Sequence, residues 1–526
     1  MAVSNGLENG RGQGQELNGV SAAADGDHGV RMRNSSEKPW LVQKFGGTSI
    51  GKFPSQIAEH VVKPYLAHHR LVLVCSARST DTKVKGTTNR LLKAAEAALY
   101  GDSKFLAFIE AVRQDHLQTA NSLVSNSSIL KLLLQQIDKE CNKLSTFLSA
   151  IQTIEEISPR SKDAIIGSGE KLACLFMTAL LNDRGVDATY INLEGIIPIT
   201  YVAKHGLDQS FYTFLTNSLR TEILNCGTSV PVVTGYFGIV PGSLLSAIGR
   251  GYTDLCAALL AVGVGAEELQ IWKEIDGIFT ADPRKVPTAR LIPSITPEEA
   301  AELTYYGSEV IHPFTCEQVM RARIPIRIKN VGNPNAHGTI IFPDNVSRPG
   351  METPPHPPKI SAHPQLSLRP RAPTAVTTKS KIMIVNVHSN RKRLSHGFFA
   401  GIFGTLDDRK LAVDLISTSE VHVSMAIHAQ VREHDLKEAI EELRKFGTVD
   451  VVHNMTILSL VGKHMKNMVG IAGRMFSTLA ACDVNIEMIS QGANEINISC
   501  VIDEKDAVKA MSVLHHDLLS NVDMVI

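Results

Sequence analysis

Residues 40–53 read WLVQKFGGTSIGKF. The apolar run 40–45 predicts a buried strand, and the two glycines after it predict a tight turn into a helix. Adjacent glycines let backbone N–H groups approach phosphate oxygens closely, and a helix N-terminus adds partial positive charge. Lys44 can then reach a transferred phosphoryl group as a point charge. Gly46 to Lys52 almost completes the pattern G-x-x-x-x-G-K-[ST], but its last position is Phe53, which has no hydroxyl for a magnesium ion. The failed last position argues against a true P-loop nucleotide hydrolase. Taken alone, the stretch is equally an ordinary glycine turn between strand and helix.

The surrounding sequence repeats the theme. Apolar runs at 71–77, 187–193, 230–238, 269–275 and 325–331 read as buried strands, with helical spacing at 89–99, 170–183, 209–224, 254–262 and 297–304. Gly185 is placed as a left-handed helix stop. Strands apolar on both faces and separated by helices predict an α/β fold, a mostly parallel sheet between helix layers. Residues 104–150 read as a helical excursion from it.

Residues 1–37 are polar and read as a disordered tail, 38–345 as the first domain, and 346–380 as a Pro-rich linker with eight prolines between 347 and 380. An internal repeat follows. Gly397, Phe403, Thr405, Leu406, Ile416 and Ser417 recur 73 positions later as Gly470, Phe476, Thr478, Leu479, Ile489 and Ser490. The repeat predicts two α+β ferredoxin-like modules, 381–455 and 456–526, each running strand, helix, strand, strand, helix, strand.

Composition excludes several functions. Basic and acidic residues both number 53, so no net field draws in nucleic acid or an anionic membrane. No apolar run approaches the ~20 residues of a membrane span, and no signal peptide is visible. The eight cysteines form no CxxC pair, which predicts reduced thiols, a cytoplasmic protein and no metal site. H-R-D, D-F-G and G-x-G-x-x-G are all missing, which excludes protein-kinase and dinucleotide-binding readings.

Two further segments carry chemistry. GSGE at 167–170 is expected to open a helix with Glu170 in its first turn, and GRGYTD at 249–254 sets Arg250 between glycines and Asp254 at a helix start. An amino-acid substrate needs an anion for its ammonium and a planar fork for its carboxylate, roles that Glu170 and Arg250 fit.

KFGGTS at 44–49, VCSAR at 74–78, GTTNRLL at 86–92, GSGEKL at 167–172, GRGYTD at 249–254, DGIFTADPR at 276–284 and YYGSEVIHP at 305–313 follow one another in the order found in aspartate kinases. The chain resembles the monofunctional fungal type of that family. The resemblance implies the amino-acid kinase fold with two C-terminal ACT modules. It implies transfer of phosphate from ATP, with Mg²⁺, to the side chain of L-aspartate, giving 4-phospho-L-aspartate for threonine and methionine synthesis. Carried over by motif, Lys44, Arg250 and Asp254 are catalytic, and Ser76, Thr88, Glu170 and Arg250 hold the substrate. Lys44, Phe45, Gly46, Gly47, Lys273, Glu274, Phe279 and Arg284 line the nucleotide.

Phe279 stands where many bacterial relatives have tyrosine, and Glu309 where they have a nucleotide-contacting lysine, with Lys329 the candidate replacement. In the first ACT module the effector contacts implied are Ser395, Gly397, Phe398, Asp414, Thr418 and Ser419, for threonine ahead of lysine. The resemblance also implies a homo-oligomer, at least a dimer through ACT modules. No dehydrogenase domain is expected after the second repeat. The competing readings are a kinase for glutamate or N-acetylglutamate, and a non-catalytic amino-acid sensor.

Overall fold

A computed structural model describes residues 31–79, 86–198, 201, 207–238, 240, 243–244, 248–306, 311, 313–342, 372–389, 397–429, 433–463, 465, 468–492 and 496–520, leaving aside the side chains of Arg250 and 313–316. The expected strands form at β1 (Trp40–Phe45), β2 (Arg70–Cys75), β3 (Ala188–Ile191), β4 (Val230–Thr234), β5 (Glu268–Lys273) and β7 (Ile326–Asn330), joined by β6 (Ser294–Ile295) and β8 (Thr339–Ile341). They make one eight-stranded sheet in the order β3-β4-β2-β1-β5-β7-β8-β6. All its pairings are parallel except β7 with β8.

β1 lies centrally, with β2 on one side and β5 on the other. The chain direction across the sheet reverses there, and such a switch point opens a crevice at the carboxyl ends of the strands. The glycines 46 and 47 emerge into it. Apolar side chains cover both faces. Val42, Val72 and Ile271 pack against α6 (Gln209–Asn225) and α7 (Tyr252–Val264), while Leu41, Phe45 and Trp272 face α2 (Thr87–Leu99), α3 (Lys104–Leu123), α4 (Ser127–Ile154) and α5 (Pro159–Asp183).

Several expectations need correcting. Residues 31–37, expected in the tail, are part of the fold: Asn34 is buried, donates to the Leu71 and Ser229 carbonyls and accepts from the Leu71 amide. α5 begins at Pro159, capped by Ser158, so Glu170 sits in mid-helix and not in a first turn. The same helix is long and apolar enough to cross a membrane, yet here it is a core helix with most of its residues buried. All seven described cysteines are free, five of them buried.

The C-terminal sheet has six strands in the order β10-β11-β9-β12-β14-β13, all antiparallel: β9 (Ala375–Ser389), β10 (Val413–Thr418), β11 (His422–His428), β12 (Gly447–Val461), β13 (Met488–Ser490) and β14 (Asn497–Asp503). Helices α10 (Phe398–Asp408), α11 (Glu433–Leu443), α12 (Ile471–Ala481) and α13 (Ala507–Leu514) accompany it. α8 (Pro297–Tyr305) and α9 (Pro313–Arg321) complete the first domain.

The repeat is visible in the backbone. Gly397 and Gly470 cap α10 and α12 with φ of 95° and 85°. The linker boundary differs from expectation, because β9 starts at Ala375. β9 and β12 run side by side over their whole 15-residue lengths, from Ala375 opposite Val461 to Ser389 opposite Gly447. The second module therefore takes Ala375–Lys379 as an edge strand from ahead of the first. Lys381 and Asn454, each at positive φ, mark where the two strands pass from one module to the other.

Candidate active site

β1 alternates, so Lys44 and Phe45 leave opposite faces of the sheet. Lys44 reaches α7, where its Nζ lies 2.7 Å from Asp254 Oδ1, with both side chains largely buried. Phe45 turns into the core and stacks on Trp272 at 6.2 Å between ring centroids. Only its backbone faces the crevice, and its carbonyl accepts from the Ser76 amide.

Gly46 is extended and caps α1 (Gly47–Lys52), but its amide donates to the Trp272 carbonyl. The amides of the first turn of α1, from Gly47 onward, have no partner within the helix. Glycine is required at 47, because a Cβ there would meet the Ala77 carbonyl oxygen at 2.1 Å. The Gly47 carbonyl accepts from Ser79, and the Arg78 carbonyl from Thr87, tying the glycine turn to the loop after β2 and to the start of α2 that carries Thr88. Arg78 is itself buried and held by Asp115 of α3 at 2.8 Å, a contact that sequence reading missed.

Glu170 lies beneath this crevice with 1 % exposure. It accepts from the Tyr236 amide at 2.6 Å and the Thr253 hydroxyl at 2.7 Å, and Tyr252 also donates to it. Burial outweighs these donors and the nearby Lys44, raising its pKa to about 7. Mid-helix glycines make this packing possible: Cβ atoms at Gly167 and Gly169 would collide with Tyr236 or crowd Ala77 and Thr87.

Lys273 ends β5 and Glu274 pairs with Lys52 at 3.2 Å, joining that strand end to α1. Phe279 bridges Leu291, and Arg284 is exposed on the following turn, paired with Asp282 at 2.8 Å. Arg250 lies in a short 3-10 turn ahead of α7, whose first turn carries Asp254. Glu309 lies outside the described residues. Lys329 does not replace it: register pairs Lys329 with Trp272, on the face opposite Lys44, where its Nζ donates to the Tyr65 hydroxyl at 3.0 Å.

The implied effector residues separate. Gly397 stands at the start of α10, and Thr418 and Ser419 are exposed where β10 turns into β11. Phe398 is 8 % exposed in the first module's core, and Ser395 lies outside the described residues. Asp414 is the extra residue of a β-bulge, and the bulge turns it to Lys379 Nζ at 2.7 Å and the Tyr305 hydroxyl at 3.4 Å.

Comparison with known proteins agrees with this layout. Residues 39–330 match the amino acid kinase family and residues 458–518 an ACT domain. The aspartokinase of Schizosaccharomyces pombe is 58 % identical over 93 % of this chain and 94 % of its own length. That of Saccharomyces cerevisiae is 55 % identical over 92 % and 94 %. Among solved structures, E. coli aspartokinase III in complex with aspartate and ADP (R-state) superposes with a TM-score of 0.69 at 25 % identity, covering 90 % of this chain and 99 % of that one. The same protein with lysine and aspartate (T-state) gives 0.70 at 24 %, over 91 % and 99 %. With its glycine turn, its Lys44–Asp254 pair and its C-terminal repeat in one chain, this protein belongs to the amino acid kinase family, in the aspartokinase group.

Proposed function

We propose that the chain transfers the γ-phosphoryl group of ATP to the side-chain carboxylate of L-aspartate, forming 4-phospho-L-aspartate. The observation that carries this reading is the Lys44–Asp254 pair at the glycine turn, 2.7 Å apart at the sheet's switch point. An aspartate side chain, with a pKa of ~3.9, is already ionised at neutral pH, so no general base is needed. Catalysis then consists of aligning two anions and neutralising their repulsion. Lys44 and the first amides of α1 serve the phosphates, and Asp254 keeps the Lys44 ammonium aimed until they arrive. Glu170 takes the substrate ammonium and Arg250 its α-carboxylate, with Ser76 and Thr88 beside them. Lys273, Glu274, Phe279 and Arg284 border the nucleotide.

Asp254, the carboxylate beside Lys44, would hold a Mg²⁺ ion bound with the nucleotide, and the ion would neutralise phosphate charge. A coupled assay with aspartate, glutamate and N-acetylglutamate tests the substrate: activity with aspartate alone is expected, and equal activity with N-acetylglutamate would remove the role given to Glu170.

The ACT modules are the sensor. Gly397, Thr418 and Ser419 are the contacts this reading favours, with threonine ahead of lysine as ligand. Ile416 and Ile489, equivalent residues of the two repeats, stand exposed on the edge strands β10 and β13, which favours a homodimer through this sheet. Free, mostly buried cysteines fit a cytosolic setting.

A further inference from the structure

The segment after β5 leaves the kinase sheet, forms the turn that carries Phe279 and Arg284, and is then gripped by the second C-terminal module. Val376 of β9 donates its amide to the Thr280 carbonyl at 2.8 Å, and Lys285 donates to the Thr378 hydroxyl at 3.2 Å. Ala281 and Val286 join the apolar cluster of Met511, Leu514, Leu518 and Leu519. Arg290 donates to the Leu519 carbonyl at 2.8 Å.

At the centre of this contact is His515, with no exposed surface. Its Nε2 is 2.8 Å from Thr280 Oγ1, while Nδ1 lies 3.3 Å from Thr288 Oγ1 and 3.4 Å from Ser520 Oγ. Thr280 Oγ1 already accepts the Arg290 amide, so its own proton is available to Nε2. Nδ1–H then donates to the hydroxyls on its side. One imidazole thus ties both arms of the turn, at Thr280 and Thr288, to the C-terminal helical segment.

We infer that His515 is a positioning residue for nucleotide binding: through Thr280 and Thr288 it holds the 279–284 turn against the site, although it belongs to the regulatory module. A neutral ring is the form this hydrogen-bond pattern requires, and burial, with Arg290 and His516 close by, lowers its pKa in the same sense. The inference rests on the reading that Phe279 and Arg284 border the nucleotide.

Steady-state kinetics of the full chain test it. His515→Leu is expected to raise KM for ATP roughly five- to tenfold, the effect of one buried hydrogen bond. KM for aspartate and kcat at saturating ATP should stay within about twofold. His515→Gln, whose amide reaches the place of Nε2, should recover most of the loss, and Thr280→Val should reproduce the Leu result from the kinase side. A folded Leu variant with unchanged KM for ATP overturns the inference, as does a fall in kcat that Gln does not relieve. If the Leu variant does not fold, Thr280→Val decides by the same criteria. Arg284→Ala separates the two levels. Raised KM there with an unchanged Leu variant removes only the role of His515, whereas unchanged KM in Arg284→Ala removes the nucleotide reading of the turn and the inference with it.

Discussion

Lys44 and Asp254 neutralise each other across 2.7 Å within a largely buried crevice, where an ion pair is screened little by solvent. The lysine is therefore aimed before any phosphate arrives, and its contribution belongs to the transition state. Lys44→Ala should lower kcat by about 100-fold or more, as expected for loss of a charge that meets developing charge, with KM for aspartate changed little. Near-normal kcat in steady-state kinetics would remove Lys44 from the chemistry.

Glu170 behaves differently. With its pKa raised to about 7 by burial, it loses its charge as pH falls below neutrality, and a neutral carboxyl cannot balance a substrate ammonium. KM for aspartate should climb toward acid pH. Glu170→Gln should raise it at pH 8 and flatten the acid limb, while kcat at saturation holds. The stability sign is opposite to that of a paired surface acid. A raised native pKa means the charged form is disfavoured in the fold, so stability from this group falls as pH rises from its unfolded value through 7. Gln should remove that dependence without destabilising the protein at pH 8, a comparison for denaturant titration.

Among the elements, the glycine turn was legible because its signal is local: an apolar strand, two glycines and a lysine at fixed spacing. α5 was not. Glycine costs about 1 kcal/mol in a helix interior, so GSG reads as a boundary. Tertiary packing overrides that cost, because Tyr236 and the Ala77–Thr87 region need the space. The side chains of Phe45 and Phe398 were misplaced for a related reason: a motif marks a position, whereas strand alternation or helix facing decides which side of it meets the ligand.

The helical excursion also gains a use here. Through Asp115, α3 holds Arg78, whose backbone links the glycine turn to α2. Asp115→Ala would leave a buried guanidinium without its carboxylate, a loss of about 3–5 kcal/mol in stability. Urea unfolding should show it, and KM for aspartate should rise as the Ser76 loop loosens. Gly47→Ala should be harsher for activity, since Cβ and the Ala77 carbonyl oxygen cannot both keep their places.

For the whole molecule, domain order and the repeat were readable from composition and from the 73-residue offset. How the modules share strands was not, because pairing between residues some 80 positions apart leaves no local pattern. The contacts that join the two halves were equally hidden. Tyr305, at the end of α8, meets Asp414 of the first module and Lys379 of the second, and the 279–290 turn meets the second as well. Both modules thus touch α8, where Lys463 and Asn497 of the second also meet Glu299 and Glu302, and the second alone is seen to grip the 279–290 turn among the described residues. Threonine binding measured by calorimetry should weaken when ATP or aspartate is present, by the same factor by which threonine weakens them. No heat with threonine or lysine would speak against a sensor.

The shared strands make the repeat asymmetric in chain order as well as in space. The first module runs as one uninterrupted stretch, from the second half of β9 to the first half of β12. The second is split around it, one strand before and the rest after, like brackets around a phrase. Lys379 and Ile457, where the brackets open and close, are neighbours across the ladder. The inner phrase could therefore be lost or exchanged by recombination and the gap closed with a short turn, leaving the outer module whole. No single deletion could remove the outer one and spare the inner.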